Sequence, residues 1–309
     1  MSRIAFVFPG QGSQAVGMGK DLYDKFSRAK DIYSLADEIM EMPLSTISFE
    51  GPSELLMQTH ITQPALFVHS YILTQLIGDK IKADATAGHS LGEYTSNVYA
   101  NTIGFEEGLR LVKKRGELMK ESGLKRPGTM AAVIGLTAKQ IDEICSQASE
   151  HQIVQPANYN APGQIVISGD VEAVHRAMKI AKEEPYKSKL VKELPVSGAF
   201  HSELMLTSSE ELRVNIDKMN FKNADMPIFT NVEAEPVADC NIIKNSLYRQ
   251  LMASVKWQQI IENMVRDFNI TKFYEIGSGK VLTGLIKRIH PAAELHNIGT
   301  AEDLLNYKI

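Results

Sequence analysis

Ala83-Asp84-Ala85-Thr86-Ala87-Gly88-His89-Ser90-Leu91-Gly92-Glu93-Tyr94 is the stretch on which the fold turns. Asp84 to Gly88 is short and mostly small and apolar, which predicts a strand. Leu91 to Tyr99 predicts a helix. Between them, Gly88-x-Ser90-x-Gly92 matches the pattern in which a serine rides a sharp turn from strand to helix. Glycines suit the flanks because a side chain there collides with neighbouring backbone. The helix that follows aims free N–H groups and its positive end at the turn, which favours a developing oxyanion. A bare G-x-S-x-G also arises by chance in ordinary turns. The strand before it and the helix after it favour Ser90 as a nucleophile.

Reading outward, Ile4–Phe8 predicts a buried parallel strand that ends in the Gly-rich turn Pro9-Gly10-Gln11-Gly12. Apolar residues at Leu22, Phe26, Ala29, Ile32, Tyr33 and Ala36 recur at helical spacing and predict one helix over 20–41. Further helices are expected over 62–77, with Pro64 in the first turn, and over 105–121. Strand–helix alternation of this kind predicts a parallel sheet covered by helices.

The middle of the chain differs. Strands are expected at 129–136, 154–158, 164–168 and 189–196, and helices at 137–149 and 171–184. Thr137 and Gln140 have capping-box spacing. This β-α-β-β-α-β order within about 70 residues is that of a ferredoxin-like unit. Alternation then resumes, with helices at 202–218, 242–253, 257–268 and 280–289 and strands at 227–232, 272–276 and 295–298. The expectation is an α/β protein with a body of residues 1–125 and 197–309 and a small subdomain, 126–196, inserted into it.

The 309 residues are 44% hydrophobic and 23% charged, with a net charge of −4. That balance excludes a disordered chain, a collagen-like fibre and a disulfide scaffold. The lack of a basic excess argues against nucleic acid as a partner. No apolar run approaches the ~18 residues of a membrane span, and the N-terminal apolar run is too short for a signal peptide. Cys145 and Cys240 are the only cysteines, so the expected location is the reducing cytoplasm.

A serine at its ordinary pKa is a poor nucleophile and needs a base. Of eight histidines, His60, His69, His151, His175, His290 and His296 read as ordinary solvated or satisfied side chains. His89 adjoins Ser90, but on such a turn its side chain points away, which suggests a structural role. His201 follows Gly198-Ala199-Phe200 after a strand end, where loops hold catalytic groups, and is the candidate base. The loop Phe8-Pro9-Gly10-Gln11-Gly12-Ser13-Gln14 offers exposed N–H groups for a phosphate or an oxyanion. It lacks the lysine and spacing of a P-loop.

Taken together, several stretches resemble the malonyl-CoA:acyl-carrier-protein transacylase family of bacterial fatty-acid synthesis. They are the loop at 8–14, Thr62-Gln63-Pro64-Ala65, the serine turn at 88–94, Lys114-Arg115-Gly116, Asn158-Tyr159-Asn160-Ala161-Pro162-Gly163-Gln164, Gly198-Ala199-Phe200-His201-Ser202 and Glu275-Ile276-Gly277-Ser278-Gly279-Lys280-Val281-Leu282. They fall in the family's order over nearly the whole chain.

The resemblance implies an α/β-hydrolase-like large subdomain with a ferredoxin-like insertion. It implies that Ser90 carries the acyl group, that His201 serves as base and then acid, and that the backbone N–H groups of Gln11 and Leu91 form the oxyanion hole. It further implies a main-chain carbonyl near Gln250 orienting His201, and Arg115 holding the malonate carboxylate. The substrates would be malonyl-CoA and an acyl carrier protein, with no metal or cofactor. Ser254 and Ser278 stand where the family commonly has proline, and Ser96 where alanine is frequent.

Physical chemistry supports Arg115 independently. A planar guanidinium grips a carboxylate through two parallel hydrogen bonds and so selects a dicarboxylic half-thioester. The alternative for Arg115 is a solvated basic face beside Lys113 and Lys114.

Two rivals share most of these residues. A discrete malonyl acyltransferase serving a polyketide synthase uses all of them. A serine thioesterase or esterase requires a third carboxylate, for which Asp142 and Asp170 are the candidates, though both also fit capping positions. Docking of an acidic carrier protein would draw on Lys187, Lys189 and Lys192, or on Lys280, Lys287 and Arg288.

Overall fold

The computed structural model describes residues 3–196 and 198–306. Among these residues ten strands are present: β1 Arg3–Phe8, β2 Ala85–Gly88, β3 Gly128–Ile134, β4 Val154–Ala161, β5 Gln164–Asp170, β6 Leu190–Glu193, β7 Ile228–Phe229, β8 Pro236–Val237, β9 Ile270–Ile276 and β10 Glu294–Ile298. They form two sheets. The larger runs β10-β9-β1-β2-β7-β8 and the smaller β4-β5-β3-β6.

In the larger sheet every neighbouring pair is parallel except β7 with β8. β1 lies at its centre, and Ala5 to Phe8 are fully buried, because helices cover both faces and leave no polar side. β2 consists of small residues for a steric reason. A Cβ on Gly88 would lie 1.8 Å from the carbonyl carbon of Gly92, and one on Gly92 would lie 2.0 Å from the Phe8 carbonyl oxygen. The turn after β2 is thus pressed against the end of β1, and only glycine fits at either flank.

The smaller sheet is wholly antiparallel. In the order of its own strands it runs second-third-first-fourth, with the helices Ala138–Ser149 and Val171–Lys182 between them. This is the ferredoxin-like arrangement. Thr137 and Gln140 close a reciprocal capping box at the first of those helices.

Several elements differ from their sequence-based bounds. The helix expected over 20–41 is two, Lys20–Lys25 and Ser27–Met40, separated by Phe26 in an extended conformation. The apolar spacing runs unbroken through Phe26, so periodicity alone could not show the break. The helix holding Pro64 begins earlier, at Thr59, which places the proline in the second turn. Two short helices, Leu44–Glu50 and Ser53–Leu56, and the final helix Ala301–Asn306 carry too few turns to register as a period. Among the described residues no helix is long and apolar enough to cross a membrane.

Candidate active site

Three chain segments that follow strands of the larger sheet meet one segment that follows the small sheet. Gly10-Gln11 leaves β1, His89-Ser90-Leu91 leaves β2, Thr230-Asn231 leaves β7, and His201 comes just after β6. Ligands in open α/β sheets gather at such carboxyl ends of strands.

Ser90 sits at φ 50°, in the left-handed region that an L-residue occupies only under compulsion. The compulsion is visible. The Ser90 N–H donates to Asn231 Oδ1 at 2.8 Å, and Asn231 Nδ2 donates to the Gly88 carbonyl at 2.7 Å. Gln250 Nε2 donates to the Ser90 carbonyl at 2.8 Å. Each side of the strained residue is therefore held by a buried amide side chain. Glu93 Oε2 ties the two residues together, accepting from Gln250 Nε2 at 2.7 Å and from the main-chain N–H of Asn231 at 3.1 Å. Glu93 is fully buried, and burial pushes its carboxyl up to about 7.

His201 is also at positive φ, 58°, and only 3% exposed. Its Nε2 lies 2.8 Å from Ser90 Oγ and its Nδ1 lies 2.8 Å from the Gln250 carbonyl oxygen. A carbonyl can only accept, so Nδ1 carries the proton and Nε2 is left to accept from the serine. Burial, followed by the positive charge of Arg115, pushes His201 down to about 3. The ring is neutral at ordinary pH.

Arg115 lies on the long helix Phe105–Lys125 with its side chain fully buried, not on a solvated face. Its guanidinium donates to Gln63 Oε1 at 2.6 Å, Gln250 Oε1 at 3.0 Å and Ser90 Oγ at 3.0 Å. It lies over the Tyr94 ring, 5.2 Å from the centroid. Among the described residues Arg115 forms no ion pair, and its Nε has no partner. Gln11, Ser90, Leu91, His201, Gln63, Met119, Met130 and Phe200 border a cavity of about 110 Å³, space for roughly four waters. Gln11 and Val196 also border a wider cleft beside it, lined by His60 and Lys120. The main-chain N–H groups of Gln11 and Leu91 find no protein acceptor among the described residues.

His89 turns away from Ser90, its Nε2 2.8 Å from Asn160 Oδ1 and its ring near Trp257, yet it borders the cavity. His69 departs from the reading of an ordinary solvated or satisfied histidine. It is fully buried, and burial pushes it down to about 4 against the opposing pull of Asp21 and the Gly299 main chain. Its helix is buried on nearly every side, so the sequence carried no polar face to mark. Asp170 binds Arg126 and the Ile153 N–H and does not approach His201. Among the described residues no metal-binding cluster of His, Cys, Asp or Glu occurs.

Sequence reasoning gave no role to Gln63, Glu93 or Asn231. Asn231 fell inside the strand expected over 227–232, which hid it; the observed strand ends at Phe229 and leaves Asn231 on the turn that follows. Gln63 and Glu93 stood inside stretches quoted only for their resemblance.

This fold and this constellation are those of an acyltransferase, and the chain belongs to that family: the acyl transferase domain matches residues 5–297. Within that class its relatives are malonyl CoA-acyl carrier protein transacylases. It is 42% identical over 292 residues to the malonyl CoA-acyl carrier protein transacylase of Bacillus subtilis, covering 94% of this chain and 91% of that one. The solved transacylase of Coxiella burnetii superposes with a TM-score of 0.93 at 38% identity, covering 98% and 96% of the two chains. A malonyl-transacylase solved in complex with its type II PKS acyl-carrier protein superposes with a TM-score of 0.93 at 36% identity, covering 98% of each chain.

Proposed function

We propose that this protein moves a malonyl group from coenzyme A to the phosphopantetheine thiol of an acyl carrier protein, through an ester on Ser90. The observation that carries the reading is Arg115: a fully buried guanidinium beside the nucleophile, with no carboxylate in ion-pair contact among the described residues and, of carboxylates, only the more distant Glu93 to favour its charge. A buried cation in that state is costly until an anion arrives. The free carboxylate of a malonyl thioester meets that need, and the cavity admits an acyl group of that size.

Ser90 Oγ attacks the thioester carbon while its proton passes to His201 Nε2. The oxyanion lies between the N–H groups of Gln11 and Leu91. Collapse breaks the carbon–sulfur bond, and the departing thiolate takes the proton from Nε2. In the second half-reaction the carrier thiol gives its proton to Nε2 and attacks the ester, and Ser90 regains its proton. Gln250 contributes its carbonyl to His201 and its side-chain oxygen to Arg115. A thioester is exchanged for a thioester, so the overall reaction is near balance.

A hydrolase reading is disfavoured because His201 Nδ1 faces a carbonyl rather than a carboxylate. The same geometry serves a carrier of fatty-acid or polyketide synthesis, and the solved complex with a type II PKS carrier makes the second worth including. We take residues 126–196 as the inserted subdomain and 1–125 with 197–309 as the body. Sheet membership supports this, while the junction residue Ser197 lies outside the described residues. The cytoplasm suits unpaired Cys145 and Cys240.

The test is to incubate the protein with malonyl-, methylmalonyl- or acetyl-CoA, with and without holo carrier protein, and weigh the products. A malonyl adduct that disappears when carrier is added, with the carrier gaining that mass, is expected. Stable loss of the adduct to water with no carrier gain would overturn the proposal.

The pH dependence carries its own sign. His201 must be neutral to accept a proton, and its pKa lies near 3, held down by burial and by Arg115 and His89 against the carbonyls of Gln250 and Ala253. The single-turnover acylation rate should therefore show no acid limb at the ordinary histidine value of ~6.5. A half-maximal rate at that pH would contradict a buried neutral base. Stability moves the other way. Below ~6.5 the unfolded chain binds a proton that native His201 refuses, so acid costs stability from there downward.

A further inference from the structure

Strand β4 of the small sheet touches the segments that carry His201, the Gln250 carbonyl and the neighbour of Ser90, although it supplies none of the reacting groups. At its start, Gln155 Oε1 accepts from the Glu203 N–H at 3.2 Å and Gln155 Nε2 lies 3.5 Å from the His201 carbonyl oxygen. In its middle, Ser254 Oγ donates to the Pro156 carbonyl at 2.6 Å. The Val255 N–H donates to Ala157 at 2.8 Å, and the Tyr159 N–H donates to Val255 at 2.9 Å, so residue 255 pairs with β4 as a parallel extension of the sheet. At its end, Asn160 meets His89, the neighbour of Ser90.

The segment that carries Ser254 is the same one that presents its carbonyls to the base. Gln250 accepts from His201 Nδ1, and Leu251 accepts from the His201 main-chain N–H at 3.0 Å. His201 is thus gripped twice by residues 250–251, which lead directly into a strap pinned at 254–255 to the small sheet. Its other flank, 201–203, is pinned to the same strand by Gln155. A base held at positive φ has no intrinsic preference for its position and takes it from such supports.

We propose that Gln155 and Ser254 are positioning residues that set the placement of His201 through β4, making the small sheet part of the catalytic geometry as well as a wall of the cleft. The inference rests on the functional reading given above. Ser254 acts on the segment of the Gln250 carbonyl, and Gln155 acts on the segment of His201 itself. Neither side chain touches the substrate's reacting atoms in the proposed chemistry.

The experiment compares wild type with Ser254→Ala, Ser254→Thr, Gln155→Ala and the Gln155→Ala/Ser254→Ala pair. Single-turnover acylation by malonyl-CoA is read by intact mass, with KM measured separately and thermal melts used to correct for folded fraction. Loss of one supporting hydrogen bond should slow acylation about fivefold in Ser254→Ala, and the pair should lose more than about tenfold, with KM unchanged. Ser254→Thr keeps the hydroxyl and should restore the wild-type rate within about twofold.

A pair variant at wild-type rate overturns the inference, as does a loss confined to KM or to folded fraction, or a Thr variant as slow as Ala. A wild-type protein that forms no malonyl adduct counts against the functional reading itself, and the two failures are distinguishable.

Discussion

Replacing Ser90 by alanine is expected to abolish the malonyl adduct and to lower transfer to the carrier by about 10⁴-fold or more, the scale on which loss of a nucleophile acts. The expectation follows from how much of the site exists to serve one oxygen. Ser90 Oγ has both His201 Nε2 and Arg115 within 3.0 Å, and no other hydroxyl stands in that position. Alanine fits the turn sterically, since Cβ is already present at this φ. The fold should therefore survive, and the loss can be read as chemistry. Intact mass after mixing with malonyl-CoA decides it: an adduct of unchanged yield would remove Ser90 from the mechanism. The neighbouring His89 points toward Asn160 and cannot take the place of Ser90 without rebuilding the turn.

Arg115→Ala should invert the choice of donor. Two charge-assisted hydrogen bonds to a carboxylate contribute about 3 kcal/mol, which corresponds to about a hundredfold in kcat/KM for malonyl-CoA. Acetyl-CoA makes no such contact and should be little affected or somewhat favoured. The ratio of the two rates is the informative quantity, because it cancels general damage to the site. Some damage is expected. Gln63 Oε1 and Gln250 Oε1 both lose their donor, and Gln250 also supports Ser90 and His201. Arg115→Lys should recover only part of the preference, since an ammonium cannot make the paired contact. If malonyl and acetyl rates fell together and kept their ratio, the carboxylate-gripping role would be wrong.

The strand–turn–helix around Ser90 was legible because steric demand wrote it in glycines. The small sheet was legible because its two helices and four strands each repeat a clean period. The large body was readable in its long helices and strands, but not in the ends of those helices, the short helices between them, or the break at Phe26, which interrupts no apolar spacing. Ser90 and His201 announced themselves by the turns that carry them. Arg115 did not, because one arginine among Lys113 and Lys114 on a helix gives no hint that it alone faces inward. Asn231 and Glu93 were beyond reach for a similar reason. Their roles are bonds to backbone atoms about 140 residues away in sequence, and no local pattern encodes a partner at that distance.

The small sheet has two free edges, β4 and β6, and an uncovered edge invites pairing with another chain. They are protected in different ways. β6 is four residues long, carries Lys192 and Glu193 and is flanked by Lys189, a charged edge that repels strand addition. Seen this way, those lysines have a reason to be present whether or not a carrier protein ever docks on them. β4 is longer, mostly uncharged and covered by residues 254–255 of the large body. The strap beside the base therefore also keeps this protein from templating its own aggregation. A chain whose strap came loose would meet its first trouble in solubility, before its core had begun to unfold.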